Sequence, residues 1–275
     1  MTKCHLAMTA ALSVFLCAQT IGSITSRADE THGIVEMKEK CLIGGARNQK
    51  WLDAKRLAKS LKARQKFSLY TLKGPAGEIT FSKIAGDRDC GGEWSAETSS
   101  NAQAGVAITS PTWNVMPRLP RPIDLNDTTY LRIVSNILKK EGITTPEVKI
   151  TQAYKVDLDG DGKEEVVIVA NRYAQGLHEL SGVGNATSAG DYTLVLVRKI
   201  IGEQVQNIFL VKAVWLKPDE GPLPRANHLS AIADLNGDGV MEIVLYSAYH
   251  EGSGSNVIQI DGSKTTSVLE CSCEH

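Results

Sequence analysis

The chain has 275 residues, 42% of them hydrophobic and 22% charged, with 30 Lys+Arg against 31 Asp+Glu. This apolar share fills a sizeable core and excludes a disordered chain, while a formal charge of −1 excludes the broad basic field of a nucleic-acid binder. Six cysteines are too sparse for a disulfide scaffold, and 24 glycines point to many turns.

The chain opens with Lys3 and an apolar run from Leu6 to Ala18, then a polar stretch that closes on Ser26-Arg27-Ala28. This is the layout of a secretory signal peptide, with cleavage expected after Ala28; the run is too short to span a bilayer. Leu16 before Cys17 is too large for a lipoprotein signal. No later segment is long and apolar enough for a membrane span, so the expected location is secreted or periplasmic. Removal of the signal leaves Cys41, Cys90, Cys271 and Cys273 in an oxidising compartment, where structural disulfides are expected. Cys41 and Cys90 share the N-terminal region and are the expected pair. Cys271 and Cys273 are too close for an unstrained bridge, and so pair elsewhere or stay reduced.

Residues 29–109 read as a small α+β region. Trp51, Ala54, Leu57, Ala58 and Leu61 recur at helical spacing and predict a helix over Asn48–Ala63. Strands are expected over Lys66–Leu72 and Glu78–Ile84, with Gly74-Pro75-Ala76-Gly77 as the turn between them. The helix and its flanks are basic (Arg47, Lys50, Lys55, Arg56, Lys59, Lys62, Arg64 and Lys66 against Asp53), and such spread charge reads as a solvated surface before it reads as an anion-binding face. Residues 110–125 hold Pro111, Pro117, Pro120 and Pro122, and form an extended connector.

Residues 126–275 open with a helix capped by Asn126 or Asp127 that runs to Gly142. The rest is strand-like: Glu147–Val156, Glu165–Asn171, Tyr192–Ile200, Val205–Trp215, Leu229–Ala233, Glu242–Tyr249, Asn256–Ile260 and Thr266–Leu269. The fold class is therefore mainly β and antiparallel, with a small α+β N-terminal region.

Two segments in this region are near copies. One places Asp157, Asp159, Asp161 and Glu165 around Gly160 and Gly162; the other places Asp234, Asn236, Asp238 and Glu242 around Gly237 and Gly239. Acids this close repel one another unless a cation neutralises them, and the glycines let the chain wrap so that the oxygens converge. The position-7 carbonyls of Lys163 and Val240 add a further oxygen. A set of hard oxygens matches Ca²⁺ rather than a metal that prefers sulfur or imidazole. An EF-hand needs an acid at position 12, where Ile168 and Leu245 stand, and a helix on each side, whereas here apolar strands follow.

A strand, then D-x-[DN]-G-D-G-x-x-E, then an apolar strand resembles the FG-GAP or VCBS repeat of integrin-α-like propeller blades. The resemblance covers about thirteen residues in each copy. It implies Ca²⁺ on Asp157, Asp159, Asp161 and Glu165, and on Asp234, Asn236, Asp238 and Glu242, in blade-like antiparallel units. A closed propeller needs about four blades or more, and two copies do not supply them. Asn236 removes one negative charge, which makes the second site the expected weaker one.

No G-x-S-x-G, H-E-x-x-H or phosphate-cradling loop occurs. His178-Glu179 and His250-Glu251 each follow a strand that leaves an acidic loop, and the glycine-rich segment 174–191 carries the sequon Asn185-Ala186-Thr187. Exposed loop residues account for both pairs. The expectation is an exported calcium-binding β protein without catalytic residues, in which Ca²⁺ is a structural staple and the partner is an envelope or extracellular glycan or protein. The alternative is a secreted hydrolase of glycan or phosphoester substrates that uses the His–Glu pairs.

Overall fold

A computed structural model describes residues 31–62, 64–86, 93–102, 104–176, 186–250 and 252–274. The signal segment, Cys90, His178, Glu179, Asn185 and Glu251 lie outside the described residues.

The N-terminal strands are β1 (Thr31–Glu36), β2 (Cys41–Arg47) and β3 (Lys50–Leu52), followed by helix α1 (Ala54–Ala58). Strands β4 (Lys66–Thr71), β5 (Gly74–Thr80), β6 (Lys83–Gly86), β7 (Trp94–Glu97) and β8 (Val106–Thr109) complete one sheet, in the order β5-β4-β8-β1-β2-β7-β6 with β3 on β2. After β9 (Arg121–Pro122) and helix α2 (Thr128–Lys140) come β10 (Ile150–Val156), β11 (Glu165–Arg172), β12 (Asp191–Ile201) and β13 (Gln204–Trp215). These four form a meander with β9 at its edge. A second meander of β14 (Ala226–Ala233), β15 (Glu242–Tyr249), β16 (Gly252–Asp261) and β17 (Lys264–Glu274) ends the chain. Every pairing is antiparallel, so the fold is mainly β as expected.

Packing is face on face. α2 covers one face of the five-stranded sheet, burying Val134 and Leu138 against Ile168, Tyr192 and Leu194. The opposite face, with Val167, Val169 and Val195, meets Ile232, Ile243 and Leu245 of the four-stranded sheet. The second face of that sheet, with Ala231, Val244 and Leu269, meets Ile34, Ile43 and Ile108 of the N-terminal sheet, whose far side packs on Leu57 of α1. A middle strand is therefore apolar on both faces, and so β11 and β15 read as unbroken apolar runs in an antiparallel sheet.

Three local expectations are corrected. The predicted helix over 48–63 shrinks to α1, because Asn48 and Gln49 adopt φ of 50° and 64° as the two central residues of a hairpin between Arg47 and Lys50. Trp51 and Leu52 follow in a strand, and the basic residues form no single helical face. Gly74–Gly77 belongs to β5; the turn is Leu72-Lys73, since Thr71 pairs with Gly74. Cys41 bonds Cys271, not Cys90, because β17 lies against β2, and Cys273 is also disulfide-bonded. α2 matches its expectation: Asp127 Oδ1 accepts from Thr129 N at 2.8 Å, and Gly142 ends the helix at a φ of 106°.

Two ties join the N-terminal sheet to the last meander. The Cys41–Cys271 bridge closes a loop of 230 residues. Glu36, fully buried, accepts from Ser230 Oγ at one carboxylate oxygen, and from Glu39 N (2.9 Å) and Lys38 N (3.1 Å) at the other. A disulfide constrains the unfolded chain, so Cys41→Ala with Cys271→Ala is expected to lower unfolding free energy by about 2–5 kcal/mol in urea titrations. Burial raises the Glu36 pKa above its ordinary value against the opposing hydrogen bonds. The folded state therefore binds this proton more tightly than the unfolded state. Its contribution to stability is complete below the ordinary glutamate value of 4.5 and is lost as pH rises through the raised one. Glu36→Gln, whose Oε1 can still accept from the two amides and whose Nε2 can donate to Ser230 Oγ in a reversal of that bond, is expected to flatten this decline in denaturation curves taken across pH.

Candidate metal centre

Each acidic loop joins the first two strands of a meander: β10 to β11 over Asp157–Glu165, and β14 to β15 over Asp234–Glu242. The flanking pairs match, Val156 with Glu165 and Ala233 with Glu242. The internal hydrogen bonds match as well. The first aspartate accepts from the amides of the two glycines, Gly160 (2.7 Å) and Gly162 (3.1 Å) on Asp157, Gly237 (2.7 Å) and Gly239 (2.9 Å) on Asp234. Asp159 and Asn236 accept from the amides of Asp161 and Asp238. Asp161 and Asp238 accept in turn from the amides of Lys163 and Val240, at 2.8 Å in both loops. The closing glutamate reaches back to the second loop residue: Leu158 N donates to Glu165 Oε2 at 2.8 Å, and Leu235 N to Glu242 Oε2 at 2.9 Å. All four glycines have φ between 76° and 90°, which is why these positions need glycine.

The loops differ at the atom left over. In the first, Asp157, Asp159 and Glu165 offer oxygens that all lie within 4.8 Å of one another. Lys199, buried on β12, brings its ammonium 2.6 Å from Asp159 Oδ2 and 2.8 Å from Glu165 Oε1. Burial works against the charge on both sides of this contact, but the paired hydrogen bonds and opposite charges prevail. They hold the Asp159 carboxyl below its ordinary pKa and the Lys199 ammonium above its own. Asp161 is exposed and lies 3.8 Å from Lys163 Nζ.

In the second loop Asp234, Asn236 and Glu242 are buried. Glu242 Oε1, the counterpart of the oxygen that Lys199 holds, is buried with no hydrogen-bond partner. Desolvation pushes the Glu242 carboxyl up to about 9, and the charges of Asp238 and Asp234 push the same way. Asp234 is also raised, chiefly by burial. Among the described residues no basic group pairs with these acids. Asn236 Nδ2 turns to Asp238 Oδ2 at 2.9 Å and to Gln49 O at 3.4 Å. Asp234, Asn236, Asp238 and Glu242 offer three carboxylates and an amide carbonyl, with one buried oxygen, Glu242 Oε1, otherwise unmatched; the acid triad whose oxygens gather within 4.8 Å is that of the first loop.

The proline-rich segment bends repeatedly between Thr112 and Arg118 and lies across both loops. Arg118 Nε donates to Asp157 O at 2.5 Å, and its Nη2 donates to Leu158 O at 3.0 Å and to Gly239 O at 2.7 Å. Trp113 Nε1 donates to Asp234 O at 2.9 Å, and Val115 O accepts from Asp234 N at 2.9 Å. Arg118 covers Gly160 and Trp113 covers Gly237, each so closely that a Cβ there would fall 3.1 Å from the covering side chain. Met241 N donates to Leu158 O at 2.8 Å, which ties one loop directly to the other. From the N-terminal sheet, Gln49 Nε2 donates to Gly237 O at 2.9 Å.

The loop acids expected from the sequence do come together in two matching turns, but Lys199, Arg118, Trp113 and Gln49, which contact those turns, were not foreseen. The lone lysine in the apolar run Tyr192–Ile201 was the available signal for Lys199. His250 is exposed at the end of β15. A cleft of about 450 Å³ between α1 and β17 is lined by Asp53, Lys55, Glu93 and Glu270 among others, and by no histidine. Comparison with protein-family models, with curated proteins and with solved structures returns no match.

Arg118→Ala removes three hydrogen bonds from a charged donor and is expected to cost on the order of 2 kcal/mol, given its partial exposure. Thermal unfolding would register this as a fall in Tm of roughly 4–8 °C. Arg118→Lys, which lacks the planar fork, is expected to recover only part of it.

Proposed function

We propose that this is an exported calcium-binding β protein of the FG-GAP or VCBS kind. In this reading Ca²⁺ staples the fold, and the protein acts as a non-enzymatic binding module for an envelope or extracellular glycan or protein. One observation carries the metal reading: the buried, unpartnered Glu242 Oε1 inside a loop whose other donors are all oxygen. The disulfide agrees with an oxidising compartment. Among the described residues no helix is long and apolar enough to cross a membrane.

The staple role follows from what docks on the second loop. Gln49, Trp113, Val115 and Arg118 all bind its backbone. A cation that fixes the loop therefore fixes the surface on which the N-terminal sheet and the proline-rich segment rest. Extracellular calcium loops bind with Kd of about 10⁻⁴ to 10⁻³ M. At ~2 mM Ca²⁺ and a Kd of ~0.1 mM, linkage gives about 1.8 kcal/mol for one site.

Adding 2 mM Ca²⁺ after chelation with EGTA is expected to raise Tm by roughly 4–7 °C. Mg²⁺ at the same concentration is expected to raise it less, because these buried side chains leave little room for the waters that Mg²⁺ retains. Asp234→Ala is expected to abolish the response. A melting curve that Ca²⁺ leaves unmoved would sink the metal reading. Binding on a glycan array without product release is the outcome expected for a binding module.

A further inference from the structure

We propose that the two loops are not equivalent: the side chain one strand away from each closing glutamate selects its cation, so that Lys199 is the built-in cation of the first loop and one divalent ion binds at the second. This rests on the metal reading above and adds to it the number of ions, their place and the residue that decides both.

Strand register places the two deciding side chains. On the first meander Val166 pairs with Arg198, so one step further Lys199 stands opposite Glu165. On the second, Ile243 pairs with Ile258, so one step further Gln259 stands opposite Glu242. Lys199 and Gln259 thus hold the same place in the two repeats. The ammonium of Lys199 extends to both Asp159 and Glu165, and so sits where the loop's oxygens converge. Gln259 is uncharged, and its Nε2 stays 3.4 Å from Asp238 Oδ2 at the exposed rim. The five internal hydrogen bonds of the loops are shared, and the difference falls at the remaining oxygen: Glu165 Oε1 has an ammonium, Glu242 Oε1 has nothing. A divalent ion in the first loop would have to displace a buried ammonium from two carboxylates, or share the site with it at close range, and either is strongly unfavourable. In the second loop no ammonium stands in the ion's way, and Glu242 Oε1 has no other partner. The charge deficit at Asn236, which alone would make this the weaker site, matters less than a resident cation in the other.

Native mass spectrometry and equilibrium dialysis of the full chain with ⁴⁵Ca²⁺ test this by counting ions. The wild-type chain is expected to bind one. Lys199→Gln is expected to bind two, Gln259→Lys none, and the exchange of both residues one. Because the lysine variants alter buried groups, Asp157→Asn and Asp234→Asn give an independent reading: the first is expected to leave the wild-type ion in place with Kd changed less than threefold, and the second to remove it. Two ions on the wild-type chain, or loss of the ion in Asp157→Asn with retention in Asp234→Asn, would overturn the selection by Lys199 while leaving calcium binding intact. No ion on either the wild-type chain or Lys199→Gln would overturn the metal reading itself.

Discussion

A buried carboxylate needs a cation, a full set of donors or a proton, and the arrangement of this protein around its two acidic loops follows from that requirement. Glycine turns of this kind bring several acids within a few ångströms, and the closing glutamate is pulled inside by its bond to the amide two residues past the end of the preceding strand. Once Glu165 and Glu242 are buried, their remaining oxygens cannot be satisfied by water. The first loop solves this with an ammonium that the neighbouring strand supplies. The second has no such group, and its glutamate is held far from its ordinary ionisation. The same backbone trace therefore supports two different electrostatic solutions.

The loops also act as the joint of the molecule. Three sheets stack face to face, and large apolar faces slide past each other unless something polar sets their position. Arg118, Trp113 and Gln49 set it at the loop end, through directed bonds to loop carbonyls. Deeper between the two meanders, Asn171, Thr193, Asn227 and Ser247 do so through a closed buried network with contacts of 2.6–2.7 Å among the side chains. Loop conformation and sheet stacking are coupled as a result.

Much of this was legible in sequence wherever the determining contacts are short. The Asp127 cap, the helix behind it, and the strands from β10 to β15 were read with small errors at their ends, because apolar runs and capping residues act over a few positions; β16 and β17, with more polar ends, were read at half their length or less. The region 48–63 misled for the same reason. Trp51, Leu57 and Leu61 keep a helical spacing, yet Trp51 is used by a strand and Leu57 by a single helical turn. What decided between them is the pairing of Lys50–Leu52 with β2, which no local period encodes. The cysteine pairing failed likewise, since proximity in sequence says little once β17 is laid against β2.

The sequence by itself determined the two loops, their oxygen donors and their place between strands, because the spacing of aspartate, glycine and glutamate fixes a turn from within nine residues. The tertiary structure alone decided which side chain faces each loop from the neighbouring strand. Lys199 lies 34 positions from Glu165 and reaches it only through the register of β11 on β12. The same register on the second meander delivers Gln259. Charge balance in a buried site is summed over everything brought near it, and for that sum the neighbouring strand counts as much as the motif.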